Sequence, residues 1–137
     1  MTRVLAIDWG AKRCGLAWTD PLGLSTNPLP GVAPSALLAT LDGLVHTGPV
    51  GTLVLGHPRN LDGSPTDATG PVEALYAQLR TLYPTLSVVL LDERLTSRRA
   101  QQVLHESGLG RKRRQDKARL DALSAVLLLQ TYLAQQG

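Results

Sequence analysis

Apolar and polar residues follow two different periods along this chain, and the switches between them mark out its elements. In "RVLAIDWG", Val4, Ala6 and Asp8 fall on one side and Leu5, Ile7 and Trp9 on the other, the pattern of a strand buried on both faces. After a turn around Gly10 to Lys12, "CGLAWTD" reads as a second strand. "GLSTNPLP" reads as a third, at an edge because of Pro28 and Pro30. The period then becomes helical. Leu37, Leu38, Leu41, Leu44 and Val45 form one stripe over residues 35–47, with Pro34 suited to the helix start. "VGTLVLG" is a fourth strand, and "HPRNLDGSPTDATG", His57 to Gly70, has the Pro, Gly, Asn and Asp content of a long, mobile loop. Val72, Leu75, Tyr76, Leu79 and Leu82 make a second helical stripe that stops before Pro84, and "LSVVLL" is a fifth strand.

Strands four and five flank a helix, so they are expected to be parallel neighbours. A third helix is expected from about Thr96 to Ser107, ending at Gly108. A last one, from about Ala118, is apolar almost all round between Leu120 and Leu129, so it should pack hard against the sheet. Three sequential antiparallel strands, two helix-linked strands and a closing helix make an α/β fold: a five-stranded mixed sheet flanked by helices, in the order of the ribonuclease H-like fold. With 137 residues, 43% hydrophobic, one domain over residues 1–137 is expected. No apolar run approaches the roughly 20 residues that span a bilayer, and no signal-peptide pattern is visible, so no membrane association and a cytoplasmic location are expected. Cys14 is the only cysteine, which rules out an internal disulfide or a thiolate zinc cluster.

Charge is unevenly placed. Between Arg94 and Arg119 nine Lys/Arg stand against two acids, a net of +7, while the rest of the chain carries −4. Six of the nine lie in "RKRRQDKAR", Arg111 to Arg119, a segment with little apolar material that reads as an exposed loop attractive to polyanions. Aromatic residues are 4% and phenylalanine is absent, so contact with nucleic acid should be mainly to phosphates rather than by base stacking. The same run is also what a plain solvated basic loop looks like.

Three carboxylates stand at informative places. Asp8 ends a buried strand, where an ionised carboxylate needs a partner, hydrogen bonds or a metal. Glu93 follows the fifth strand, whose end would share an edge with that of the first if the two were adjacent. Asp121 lies in the expected first turn of the last helix. Each has a structural reading: a turn starter for Asp8, a solvated strand end for Glu93, a helix-dipole partner for Asp121. Convergence of all three on one edge would suit Mg²⁺ or Mn²⁺, hard cations that take oxygen ligands and leave positions for water and phosphate. Phosphoryl chemistry would follow. Of the histidines, His46 and His105 stand near helix ends and His57 reads as a loop-surface residue; no zinc spacing links them. Neither G-x-S-x-G nor a complete phosphate loop is present, since "GAKRCGLA" lacks the Lys-Ser/Thr that would follow.

Four ordered segments carry a family resemblance over nearly the whole chain. "AIDWGAKRCGLA" resembles the D-x-G-x-K/R-x-x-G opening of the YqgF/RuvX family of RuvC-like, ribonuclease H-fold nucleases. "LGHPRNLDGS" resembles its glycine-proline loop, and "LDERLTS" and "LDALSAVLLLQTYL" resemble its third and fourth elements. His57 and Trp9 depart from the family's usual residues. The resemblance implies that Asp8, Glu93 and Asp121 are metal-binding catalytic acids using Mg²⁺ or Mn²⁺, and that Arg94 and Thr96 position phosphate or brace the site. Lys12 and Arg13 of the first turn, and Lys112, Arg113, Arg114 and Lys117 of the basic run, are the expected phosphate contacts. Family members are described as resolvases of four-way DNA junctions or as nucleases maturing precursor 16S ribosomal RNA, so branched DNA and precursor rRNA are both expected partners. A resolvase, which must cut twice, would favour a homodimer. A non-catalytic nucleic-acid-binding or ribosome-assembly module would show the same basic run. An actin-like ATPase would need a second lobe for which the chain has no room.

Overall fold

The computed structural model describes residues 2–94 and 117–136, with side chains of the last helix described from residue 123 onward. Five strands form one sheet: β1 (Arg3–Asp8), β2 (Cys14–Thr19), β3 (Thr26–Val32), β4 (Val50–His57) and β5 (Ser87–Asp92), in the order β3-β2-β1-β4-β5. Pairing is antiparallel for β1 with β2 and β2 with β3, and parallel for β1 with β4 and β4 with β5. The mixed sheet and its strand directions match the expectation from sequence. β1 is the central strand, and β4 separates it from β5. The first and fifth strands therefore share an edge without being neighbours.

Strand parity decides what each face buries. Leu5, Ile7, Leu16, Leu53 and Leu55 point to the side covered by α1 (Leu37–Thr47) and α2 (Thr69–Leu82), where Leu37, Leu41, Val72, Leu75 and Leu79 complete the larger core. Ala6, Ala17, Val54 and Leu91 point to the other side, against Ala125, Leu128 and Leu129 of α3 (Lys117–Gln136). The small side chains of Ala6 and Ala17 let α3 lie close on the centre of the sheet, in contact with β1, β2 and β3. The expected packing of the last helix is thereby met. At about 25 cal/mol per Å² of apolar surface removed from water, each fully buried leucine of these two cores contributes roughly 1.5–3 kcal/mol before conformational entropy is charged against it.

Several local readings shift. Residues Pro34–Ala36 form a single 3₁₀ turn before α1 begins. Leu82 is the last residue of α2 and is 51% exposed rather than part of the buried stripe. Edge strand β3 carries Pro28 and Pro30, which withhold two backbone donors and make it a poor template for further strand addition. The expected helix from Thr96 to Ser107 and most of the basic run lie outside the described residues.

Candidate active site

The carboxyl ends of β1, β4 and β5 make one edge of the sheet, and three positions there share the α3 face. Asp8 has the parity of Ala6, Gly56 that of Val54, and Glu93 that of Leu91. Two strand spacings, roughly 10 Å, separate β1 from β5. The gap is closed by side chains: the Glu93 and Asp8 carboxyl groups share a hydrogen bond. Gly56 makes this possible. A Cβ at that position would lie 2.8 Å from Glu93 Cγ and nearer still to its carboxyl carbon and Oε1. The Glu93 backbone is fixed as well, since its N–H donates to the His57 carbonyl at 3.2 Å.

Burial dominates the electrostatics of the pair. Desolvation pushes the Glu93 carboxyl far above the usual glutamate range, reinforced by the hydrogen bond to Asp8 and the nearby charges of Asp8 and Asp92. Asp8 is also raised by burial, an effect its bond to Glu93 opposes. Two carboxylates held together away from water cannot both ionise cheaply, so burial favours a single proton held by the pair. A divalent cation is the natural replacement for that proton, because it neutralises both groups through hard oxygen ligands. The donor set thus fits Mg²⁺ or Mn²⁺. Among the described residues no third acid, histidine or cysteine completes a cluster with the pair.

Asp92 and Arg94, on either side of Glu93, have a different task. Arg94 Nη2 and Nε lie 2.6 and 2.8 Å from Asp92 Oδ2, and the Arg94 backbone N–H donates to Asp92 Oδ1 at 2.9 Å. The guanidinium beside Asp92 holds that carboxyl below the usual aspartate range. Arg94 Nη1 also reaches the Leu61 carbonyl at 3.5 Å, at the limit of a hydrogen bond. Arg94 thus links the end of β5 to the segment after β4.

The segment after β4, expected to be a long mobile loop, is tied down throughout. Arg59 bridges to Pro65, Gly63 N–H donates to the Asn60 carbonyl at 2.8 Å, and Asn60 N–H donates to the Ser64 carbonyl at 2.9 Å. Asp62 Oδ1 accepts from the Ser64 N–H and hydroxyl at 2.8 and 2.6 Å. Gly63 takes φ 89°, a left-handed conformation that favours glycine. At the foot of the loop the Thr69 hydroxyl donates to the Pro58 carbonyl at 2.6 Å. Asx-type side chains and a positive-φ glycine supply this order, where composition alone suggests mobility.

His57 also needs correcting: it is the last residue of β4, its side chain is only 16% exposed, and its Nε2 lies 3.7 Å from Glu73 Oε1 of α2. Strand parity continued from Leu55 would have placed its ring under α2. Lys12 and Arg13 are exposed on the short β1–β2 turn beside Asp8, where expected. That turn is tight, with the Arg13 carbonyl 2.5 Å from where a Gly10 Cβ would stand. Thr96, Lys112, Arg113 and Arg114 lie outside the described residues. Lys117 and Asp121 are placed by their backbone alone, in α3. The helix is described from Lys117, so Asp121 stands beyond the first turn, where a dipole role is weaker. Sequence reasoning missed Gly56 and Arg59. The signal for Gly56 was a glycine breaking the apolar run of β4 at the level of Asp8. For Arg59 there was none beyond its place in the loop.

The mixed sheet has the ribonuclease H-like order, with two acids paired at the ends of its parallel strands, and comparison with known proteins places the chain in a family. Residues 2–135 match the family model described as "RuvX: Holliday junction resolvase". Sequence relatives include a protein of Chlorobium phaeobacteroides, 39% identical over 135 residues covering 98% of this chain and 94% of the relative. Another, from Porphyromonas gingivalis, is 41% identical over 133 residues covering 97% and 96%. Both carry the name "Putative pre-16S rRNA nuclease". The Thermus thermophilus RuvC chain solved in complex with Holliday junction substrate aligns with a TM-score of 0.54 at 19% identity, over 100% of this chain and 97% of that one, a likeness of fold. The chain belongs to the RuvX family.

Proposed function

We propose that this member of a nuclease family is a divalent-metal-dependent endonuclease that hydrolyses phosphodiester bonds in structured nucleic acid. The observation that carries the reading is the Asp8–Glu93 carboxyl pair, gathered across Gly56 at the edge where three strands end. Asp8 and Glu93 would hold Mg²⁺ or Mn²⁺, with Asp121 of α3 as the third acid. Such an ion supplies Lewis acidity toward a phosphoryl oxygen and a more acidic bound water. The chain's own residues do the rest. Asp8 and Glu93 release their shared proton when the site is charged, and their fixed strand ends hold two oxygen donors in place without reorganisation. Lys12 and Arg13, beside Asp8, would take the phosphates flanking the scissile one, and Thr96, Lys112, Arg113, Arg114 and Lys117 would extend that contact.

The family description and the relatives' names suggest two substrates, a four-way DNA junction and precursor 16S rRNA. The first requires two cuts, hence a two-fold dimer; the second does not. Either activity fits the cytoplasm, and no helix among the described residues is long and apolar enough to cross a membrane. The test compares the wild type with Asp8→Asn on both substrates, with Mg²⁺ or Mn²⁺. Cleavage by the wild type alone is expected, and the preferred substrate identifies the activity. Equal cleavage by both proteins would sink the catalytic assignment. Salt-sensitive binding by both without any metal-dependent product would identify a binding module instead.

A further inference from the structure

His57 brings a polar ring to a place where the strand pattern calls for an apolar one. It continues the face of β4 that carries Leu53 and Leu55, and its Nε2 is buried with no hydrogen bond among the described residues. A buried ring nitrogen is costly unless an acceptor stands by. Glu73 Oε1 of α2 is 3.7 Å away, just beyond the roughly 2.7–3.2 Å of a formed N–H···O bond. Four residues earlier on the same face of α2, the buried Thr69 donates its hydroxyl to the Pro58 carbonyl at 2.6 Å. One helix face therefore meets two consecutive residues at the end of β4.

That strand end is where Glu93 is attached to the sheet. The paired register of β4 and β5 ends at His57 and Asp92, and beyond it the Glu93 N–H donates to the His57 carbonyl at 3.2 Å. The bond sets the backbone from which Glu93 reaches past Gly56 to Asp8, so a rotation of the His57 peptide would be passed to the Glu93 carboxyl. Either the neutral ring with its proton on Nε2 or the imidazolium can donate to Glu73, and the contact needs no change of protonation. We propose that Glu73 and His57 are positioning residues for Glu93: the helix holds the ring, and the ring fixes the carbonyl from which the Glu93 backbone hangs. The proposal rests on the nuclease reading above. It adds a route by which α2, on the face of the sheet away from the paired acids, sets the geometry of the metal-binding oxygens.

The experiment uses the full-length protein and starts from Glu73→Ala, a change on the half-exposed side of a helix that leaves the core intact. In metal-free protein, hydrogen exchange at the Glu93 N–H should become roughly tenfold faster, while exchange at Ile7 and Val54 and the melting temperature stay the same. Mn²⁺ titrated by calorimetry should bind about tenfold more weakly, and kcat should fall with little change in KM. Glu73→Gln, which keeps an acceptor for the ring, should restore both exchange protection and Mn²⁺ affinity. His57→Ala should reproduce the loss, and His57→Ala/Glu73→Ala should be no worse than His57→Ala alone, because the two act through one contact. Unchanged exchange at Glu93 with unchanged Mn²⁺ affinity in Glu73→Ala would overturn the proposal. So would a loss in Glu73→Gln as deep as in Glu73→Ala, or faster exchange throughout β4 and β5, which marks general loosening. Failure of the nuclease reading appears separately, as equal cleavage by wild type and Asp8→Asn, and leaves the metal-free exchange result standing.

Discussion

Gly56 and Glu93 occupy one space: the missing side chain of the first is filled by the carboxylate of the second. Because β4 lies between β1 and β5, any side chain at position 56 stands in the line from Glu93 to Asp8. Gly56→Ala should therefore leave the fold in place while displacing Glu93, since the clash falls on the end of a side chain and not on backbone. The expected result is a fall in kcat of about 100-fold or more, the usual cost of misplacing a reacting group by an ångström, together with weaker binding of Mg²⁺ or Mn²⁺. Metal titration by calorimetry and single-turnover cleavage check it. Wild-type metal affinity in Gly56→Ala would show that Glu93 need not cross β4.

Metal-free stability should fall as pH rises through neutrality. Burial raises the Glu93 carboxyl above its ordinary value of 4.5, and Asp8 is raised as well. The folded protein then binds more protons than the unfolded chain between about pH 5 and 9, so each step up in pH favours unfolding. Asp20, Asp62 and Asp92 are shifted the other way by hydrogen bonds to their carboxylates, with Arg94 the leading partner of Asp92, and their contribution is lost only in acid. Thermal unfolding in chelator at pH 5, 7 and 9 measures the slope. Glu93→Gln should flatten it, and saturating Mg²⁺ should do so in the wild type by replacing the proton. Parallel slopes for wild type and Glu93→Gln would refute the shared proton.

Much of this was legible in the sequence because period and parity are local properties. Alternation in "RVLAIDWG" set Asp8 on the face of Ala6, and the helix linking strands four and five made them parallel. Sheet order is not local. Nothing in the chain's period shows that β4 inserts between β1 and β5, so the need for a glycine at position 56 emerged only with the topology. The loop was misread for a related reason. Pro, Gly, Asn and Asp mark both mobile segments and tight turns, and the difference lies in contacts such as Arg94 with Leu61, 33 residues apart in sequence.

Arg94 braces by geometry and not by charge alone. Its Nε and Nη2 both meet Asp92 while Nη1 points to the loop, an arrangement a single ammonium cannot reproduce. Arg94→Lys should consequently behave like Arg94→Ala in loosening the Asn60–Ser64 turn, seen as faster hydrogen exchange at Gly63 and Ser64. Because the pair is partly exposed, global unfolding should hardly change. Rescue of exchange protection by lysine would mean that charge suffices.

Lys12 and Arg13 offer a test that separates phosphate contact from chemistry. Both are exposed on the turn that follows Asp8, and the stem of Arg13 runs close to Gly31, which leaves its guanidinium free of the core. If each takes one phosphate, each releases about 0.9 counterion on binding duplex DNA and about 0.7 on a single strand. The double variant Lys12→Ala/Arg13→Ala should then bind more weakly and lower the slope of log K against log salt by about 1.4–1.8. Cleavage at saturating substrate should change far less than kcat/KM, because the lost contacts act in the bound ground state as much as in the transition state. Binding isotherms at four or five salt concentrations measure the slope. An unchanged slope would remove both residues from the interface and leave phosphate binding to other parts of the chain.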